Sequence, residues 1–506
     1  MSIINFAVSN ILRARIKIIE AFKKNSIDCQ WEIFESLIET AENTEIGKLY
    51  SFSKIKSYED YKKLVPIHDY EALKPYIERT MRGEQNLLWP ESIYSFAKSS
   101  GTTSDKSKFI PLSESSLDAC HYKAGTDMLA MYCSYFDDAE IFSGKSLTLG
   151  GSLKVSEFNK EARYGDLSAL LMQNLPSWAM FFRTPSLKVA LMEKWEEKMV
   201  AIANECIPQD VTNIVGVPSW TLVLFKKILE ITGKKNMLEV WPNLEVFFHG
   251  GVSFKPYKEQ FERLIPSDKM IYMETYNASE GFLGIEDIPG SGELLLMLDY
   301  GIFYEFIPLA ELHKENPTVL HLGEVQVDEV YALLISTNAG LWRYLIGDTV
   351  RFTSTNPYRI KISGRTKHFI NAFGEELMIE NAESALAKAC DLTGAVINDY
   401  TAGPVFMGQG NTGGHEWLIE FEKEPVDLSQ FIKSLDEHLK SVNSDYEAKR
   451  YNDFVLQVPI VHKMEKGTFY NWLKSKDKLG GQNKVPRLAN DRKFLDEIIS
   501  MTSLNV

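Results

Sequence analysis

From Ser92 to about Val350 the chain alternates short β-rich runs with helical stretches, and this alternation constrains the fold more than any other feature. KSLTLGGS, VTNIVGVPS, NLEVFFHGG and KMIYMETYNASEG carry the branched and aromatic residues of strands, whereas LKVALMEKWEEKMVAIANEC and WTLVLFKKILEIT carry helical period. The pattern predicts α/β layers. GELLLMLDYGIFYEFIPL, HLGEVQVDEVYALLISTN and LWRYLIGDTVRFTS then follow with little helix between them, which predicts an antiparallel sheet attached to the end of the α/β body. Residues 1 to about 90 read as helices interrupted at Pro66, Pro75 and Pro90, and are expected to cover the sheet.

Helical character returns at Ile379. The order helix 379–390, strand 393–401, strand 415–422, helix 427–443, strand 453–459 predicts a small α+β domain. The polar residues 363–367 are the expected hinge, between a large domain over 1–362 and a small one over 368–506. A chain of 506 residues with 44% hydrophobic content is long enough for more than one core. Its net charge of −14 argues against a nucleic-acid or anionic-membrane surface, while leaving room for a small anion held by a local basic loop. Five scattered cysteines with no C-x-x-C pair suggest neither a disulfide framework nor a zinc site. With no cleavage-site pattern in the first residues and no run long enough to span a bilayer, the expectation is a cytoplasmic protein.

Four segments carry chemistry. Ser99, Ser100, Gly101, Thr102, Thr103 and Ser104 pack hydroxyls around one glycine, between the strand-like runs SIYSFA (92–97) and FIPLS (109–113). A glycine lets backbone N–H groups close on an anion, the hydroxyls add donors, and Lys106 and Lys108 add countercharge, so the loop suits phosphate. It is no Walker loop, because Lys106 stands where the second glycine would be. The run MIYMETY leads into Asn277, Ala278, Ser279 and Glu280, putting Tyr276, a carboxamide and an acid at a strand end, where open α/β sheets bind ligands. Glu280 suits Mg²⁺ against a polyphosphate and Tyr276 suits stacking on a base; an Asn-Ala-Ser turn with a solvated acid fits the same residues. His249, Gly250 and Gly251 read either as a strand ending in a glycine turn or as bare backbone over which a flat ring slides.

In WRYLIGD, Asp348 follows a glycine at an expected strand end, where a carboxylate can accept both ribose hydroxyls; Asp after Gly is also a common turn. Arg365 is placed to reach a phosphate or the same sugar. GGQNKVPR (480–487) offers Lys484 on a glycine loop, a residue that in isolation is usually solvated.

SSGTTSDKSK, YNASEG, WRYLIGD, SGRTK and a C-terminal lysine loop, in that order, resemble the adenylate-forming superfamily, and more closely a bacterial member of the auxin-responsive acyl-acid amido synthetase family. The resemblance runs from about Ser92 to Arg487 and includes KGTF (466–469) and NKVPR. Thr103, Asp105 and the pair Asn277–Ala278 depart from the family's usual residues, without removing a chemically necessary group. The resemblance implies a large adenylate-forming α/β domain with a β-rich end plus a small mobile α+β domain, and a two-step ligase using ATP and Mg²⁺. A small carboxylic acid attacks the α-phosphate of ATP, pyrophosphate leaves, and an amine or amino acid takes the acyl group as an amide. It also implies that residues 99–104 cradle phosphates, that Glu280 holds Mg²⁺, and that Asp348 binds ribose. Gly250, Gly251 and Tyr276 would frame adenine, with Asn277, Ser279 and Arg365 in the same nucleotide site. Lys484 would neutralise charge building up on the reacting groups, and the small domain would swing about residues near Lys367.

Trp178, Val217, Trp220 and Phe248 are candidate walls of the acyl pocket, although apolar residues at such positions are mostly core. Two other readings stay open. An acyl-CoA ligase shares the adenylation step and transfers to a thiol; a nucleotide-binding regulatory protein keeps the fold without turnover and has no use for a lysine on a mobile loop.

Overall fold

The structure is a computed structural model that describes residues 3–99, 108–151, 153–155, 161–175, 177–192, 195–251, 254, 257–312, 314–365, 369–370, 372, 375, 377–405, 413–443, 446–447, 450, 456–476, 478, 484–489 and 491–502. Contacts divide the chain into two compact units. One comprises Met1–Val252, Leu264–Ile346 and Val350–Lys361; the other Ser253–Arg263, Gly347–Thr349 and Ile362–Val506.

In the first unit the N-terminal helices are Ile3–Lys24, Ser26–Ala41, Glu45–Leu49, Tyr58–Leu64 and Tyr70–Met81. Polar side chains set their starts: Ser57 accepts from the Asp60 N–H and Asp69 from the Ala72 N–H, each satisfying one orphan donor of a first turn. Pro75 does not interrupt, as the sequence suggested, but lies inside the helix Tyr70–Met81. One missing N–H costs that helix a single internal bond, and buried Tyr70, Leu73, Ile77 and Met81 hold it on the core regardless. Buried Gln30 ties these helices to the sheet, donating to the carbonyls of Leu298 and Ile302 at 2.9 and 3.0 Å and accepting from the Tyr304 N–H at 2.9 Å.

The antiparallel strands expected at the end of the α/β body continue the parallel ones in one twelve-stranded sheet. Ile271–Ala278, Val246–Gly250, Val211–Gly216, Lys145–Thr148 and Arg183–Thr184 run parallel in that order. On its other edge Ile271–Ala278 turns through Ser279 and Glu280 and pairs antiparallel with Gly281–Ile285. From there the ladder continues through Leu294–Leu296, Tyr358–Arg365, Tyr344–Thr355, Val330–Thr337, Ile302–Pro308 and Leu320–His321. The two halves merge because one strand is paired on both sides, so the YNASEG hairpin marks the seam. A second sheet holds Lys108–Leu112, Ser95–Ser99, Arg163–Gly165 and Leu153–Val155. Its first two strands form the expected antiparallel pair, with Ser99 opposite Lys108. The stretch read as one helix over 187–206 is two, Leu187–Ala190 and Trp195–Cys206.

The second unit has its own core, in which Leu386 and Phe431 of the helices Ile379–Thr393 and Leu428–Val442 join Tyr400 and Trp417 of the sheet. Its strands Val396–Val405 and Gly414–Lys423 are antiparallel, and Ile460–Met464 runs parallel to the latter. That last strand begins after the expected 453–459: Pro459 has no N–H for the ladder, so pairing starts at Ile460. Among the described residues no helix is long and apolar enough to cross a membrane and no disulfide joins the five cysteines.

Candidate active site

Parallel strands leave their carboxyl ends open to ligands, and the predicted residues of the first unit collect there. Gly250 closes Val246–Gly250 against its neighbour so tightly that a Cβ would lie 2.5 Å from the Thr275 carbonyl oxygen and 2.8 Å from its Oγ1. The Thr275 hydroxyl donates to the His249 carbonyl at 3.1 Å, which pins the two strand ends together. Gly251 follows with φ +81 and turns the chain away, leaving bare backbone at the sheet edge. His249 is buried, and burial pushes its imidazole down to about 3, so the ring is neutral.

One residue pair on, Ile271–Ala278 carries Tyr276 and Asn277, Ser279 and half-buried Glu280 form the turn, and Gly281–Ile285 returns. Tyr276 and Ser279 are buried. A single π-helical turn, Leu117–Tyr122, packs on this hairpin, and such turns recur at functional sites. Cys120 Sγ accepts from the Phe282 N–H at 3.1 Å, and Phe282 is the register partner of Asn277. His121 of the same turn faces the Asn277 side chain; burial pushes its imidazole down to about 4, opposed by that carboxamide. Sequence reasoning passed over His121, since only the π turn rotates it to the hairpin.

Lys198 is a second residue not anticipated. From the helix Trp195–Cys206 its ammonium donates to the carbonyls of Gly150 and Gly151 at 2.5 and 2.8 Å, just past the carboxyl end of Lys145–Thr148. Burial lowers its pKa to about 8, with Asp166 opposing the shift. A signal existed: Lys198 shares the four-residue spacing of buried Ile202 and Cys206, so the helix period points it inward. Of the acyl-pocket candidates, Phe248 is buried against Tyr132, ring centroids 5.8 Å apart. Val217 caps the helix Pro218–Thr232 and Trp220 lies in its first turn, both half-buried. Trp178 lies on the helix Ser177–Phe182.

Ser100, Gly101, Thr102, Thr103 and Ser104 lie outside the described residues, as does Lys367; Ser99 ends its strand. In the second unit Asp348 is not at a strand end but inside Tyr344–Thr355, buried. Gly347, at φ +94, bends the strand without ending it, which only glycine does cheaply. Ser363, whose hydroxyl donates to Thr349 Oγ1 at 3.2 Å, and Arg365 belong to the strand Tyr358–Arg365.

Lys484, also in the second unit, precedes a firmly fastened stretch. Val485 enters the apolar cluster with Trp472 and Leu495, and the Pro486 carbonyl accepts from the Thr401 hydroxyl at 2.5 Å. The Arg487 guanidinium pairs with Asp399, donates to Tyr257 Oη at 2.8 Å and lies 4.7 Å from the centre of the Tyr400 ring. The lysine is therefore held from its carboxyl side. Glu280 supplies one carboxylate at a turn, which fits Mg²⁺, an ion content with one or two carboxylates plus phosphate oxygens. No cage of three or more His, Cys, Asp or Glu side chains occurs among the described residues.

Residues 15–270 match the GH3 family N-terminal domain, 295–365 its central domain and 380–493 its C-terminal domain. The indole-3-acetic acid-amido synthetase GH3.3 of Arabidopsis thaliana is 22% identical, with 94% of this chain and 91% of that protein covered. The jasmonoyl-L-amino acid synthetase GH3.5 of Oryza sativa subsp. japonica is 23% identical, with 96% of each covered. Among solved structures, the GH3.15 acyl acid amido synthetase superposes with a TM-score of 0.79 at 17% identity, covering 96% of this chain and 95% of that one. A 2-hydroxyisobutyryl-CoA ligase in its postadenylation state gives 0.56 at 13% identity, covering 98% and 91%. At these identities the structural likeness shows a shared fold. With all three domain types matched in order along one chain, the protein belongs to the GH3 family.

Proposed function

We propose that this chain is an ATP-dependent acyl-acid amido synthetase, which adenylates a small carboxylic acid and transfers the acyl group to the amine of an amino acid. One observation carries this reading: an indole-3-acetic acid-amido synthetase, a jasmonoyl-L-amino acid synthetase and a 4-substituted benzoates-glutamate ligase each align over more than nine-tenths of both chains. The strand-end geometry supports it. Bare backbone at Gly250 and Gly251 beside Tyr276 suits a flat adenine, and Ser279 and Asn277 border the same edge. Residues 99–104 cradle the phosphates and Asp348 accepts the ribose hydroxyls in this reading, with Arg365 beside the sugar and phosphate.

Lys484 supplies the positive charge that meets the carboxylate and α-phosphate oxygens as they react. Glu280 holds Mg²⁺, which when bound offsets the charge of the polyphosphate. Residues 363–367 serve as the hinge of a large domain, 1–362, and a small one, 368–506; the break between the compact units after Lys361 supports that placement. The absence of disulfides among the described residues supports a reducing, cytoplasmic location.

ATP–pyrophosphate exchange over a panel of carboxylic acids tests the first step. Mass spectrometry of products formed with mixed amino acids, or with coenzyme A in their place, tests the second. Exchange with thioester but no amide identifies an acyl-CoA ligase, and ATP binding without exchange identifies a nucleotide-binding protein.

A further inference from the structure

Two buried cations lie against one crossing of the chain. The large sheet hands over to the smaller one between Lys145–Thr148 and Leu153–Val155, so the backbone at Gly150 and Gly151 leads from the strand ends of the first to the sheet that contains Ser95–Ser99. This crossing is tightly seated: a Cβ on Gly150 would overlap the Met172 methyl and one on Gly151 the Asp166 carboxylate, while the Gly151 N–H donates to Ser168 Oγ at 3.1 Å. Lys198, 2% exposed, donates to both glycine carbonyls. Arg183, 8% exposed, opens the strand next to Lys145–Thr148 and donates to Met172 Sδ at 2.8 Å, a weak acceptor, and its Nε has no hydrogen-bond partner among the described residues. Asp166 attracts Lys198 and Glu205 attracts Arg183 without forming an ion pair among the described residues, and Arg183 repels Lys198. Protein interiors keep buried charges paired, so two cations left in this state call for an anion that arrives from outside.

Strand register tells which anion comes near. Ser95–Ser99 runs parallel to Arg163–Gly165 with Ala97 opposite Gly165, and Arg163–Gly165 pairs on its other side with Leu153–Val155. Asp166, the residue after Gly165, is the one packed against Gly151. Gly151 therefore stands two strand spacings, about 10 Å, from the end of the strand that carries Ser99. Salt screens a buried charge far less than an exposed one, so the two cations are felt at that range.

We propose that Lys198 and Arg183 are the fixed positive charge of a polyphosphate site, seating the Gly150–Gly151 crossing and drawing the β- and γ-phosphates of ATP, and the pyrophosphate released from it, to the end of Ser95–Ser99. Both are positioning residues: being buried, they act through the crossing and through their charge, without touching the ligand. Lys198 also offsets the Asp166 carboxylate, which stands between the crossing and the phosphate strand. This rests on the ligase reading above, in which residues 99–104 cradle phosphate.

The test is calorimetric titration of the full chain with ATP, pyrophosphate and AMP in the presence of Mg²⁺. The parent should bind ATP more tightly than AMP and should bind pyrophosphate by itself. Lys198→Met, which removes the charge at nearly constant length, should weaken ATP and pyrophosphate roughly tenfold and AMP less than about twofold, and Lys198→Arg should restore most of the loss. Arg183→Met should show the same selectivity at smaller size, and decides the matter should Lys198→Met fail to fold. An equal loss for all three ligands means that the cations only hold the fold, and overturns the inference; unchanged ATP affinity in a folded variant overturns it too. A parent that binds AMP as tightly as ATP overturns it without any variant. Pyrophosphate exchange over the acid panel reads the ligase reaction separately: its absence removes that reading, while the ratio of ATP to AMP affinities still decides this one. A parent that binds neither ATP nor pyrophosphate removes both.

Discussion

The two ends of the parallel strands are built in opposite ways. At the amino end the Glu245 carboxylate accepts from the Glu140 N–H at 2.9 and 3.3 Å and the Thr212 hydroxyl donates to the Ile141 carbonyl at 2.7 Å, while the Oδ1 of buried Asn213 has no hydrogen-bond partner among the described residues. At the carboxyl end the chain offers glycine backbone at Gly250 and Gly251, a lysine crossed over the Gly150 and Gly151 carbonyls, and His121 facing the Asn277 side chain. Both ends hold a strongly perturbed titratable group, Glu245 pushed up to about 7 and His121 pushed down to about 4, each mainly by burial. A shifted pKa alone does not find the site. What separates the ends is the bare backbone where Gly251, at positive φ, turns the chain away after Val246–Gly250.

The largest expected effect tests whether the chemistry belongs to the open end alone, by removing a group of the other compact unit. Lys484→Ala should lower adenylation by roughly two to three orders of magnitude, as for loss of one transition-state contact, without moving the melting temperature. Its carboxyl-side neighbours, Val485 and Arg487, keep their own packing and bonds. Wild-type pyrophosphate exchange in the variant would return the electrostatic role to the strand ends.

Asp348→Ala should come next, weakening ATP binding by about 1.5–3 kcal/mol because the ribose hydroxyls lose a charged acceptor. Calorimetric titration reads this directly, with circular dichroism confirming the fold. Unaltered affinity would reject the ribose assignment and leave nucleotide recognition to the strand ends of the first unit.

Gly250→Ala probes the open end itself. The new methyl would meet the Thr275 carbonyl and hydroxyl, and such overpacking costs about 1–3 kcal/mol. Melting temperature and ATP affinity should fall together here, since the same backbone contact sets the sheet edge and the proposed adenine slot. A variant that loses stability but binds ATP normally would separate the two.

How much of this the sequence disclosed follows from how far each constraint reaches along the chain. The parallel strands at 145, 211, 246 and 271 and the helix at 379 were legible because periodicity is local. The attachment of the antiparallel half was legible too, but not the strand that makes it, since pairing partners lie far apart and only the double pairing of Ile271–Ala278 joins the halves. Asp348 was misplaced at a strand end because Gly–Asp is ordinary turn chemistry, whereas here the positive φ of Gly347 keeps the strand going. In the site, the motif residues Gly250, Tyr276, Asn277 and Glu280 stand out as a run of unusual side chains at a strand end. Their supports do not: His121 reaches the hairpin through a π turn that sequence does not announce, and Lys198 reads as one more surface lysine unless the buried stripe of its helix is counted.

The smallest expected effect belongs to the closed end and bears on stability alone. The Glu245 carboxyl has its pKa raised by burial from 4.5 to about 7, with Glu140 adding to the shift and the Glu140 N–H opposing it. The folded chain therefore keeps a proton that the unfolded chain releases, so the contribution to stability is complete below the ordinary carboxyl range and is lost as pH rises through about 7. Glu245→Gln keeps an acceptor for the Glu140 N–H but does not titrate. The variant should match the parent near about pH 5 and melt higher by about two degrees near about pH 8, the gap opening across the window between. Pyrophosphate exchange at saturating substrates should not change, because the carboxyl lies at the opposite end of its strand from Gly250. A flat difference across that window would mean Glu245 is ionised throughout, and a loss of exchange at constant stability would show that the closed end takes part in catalysis after all.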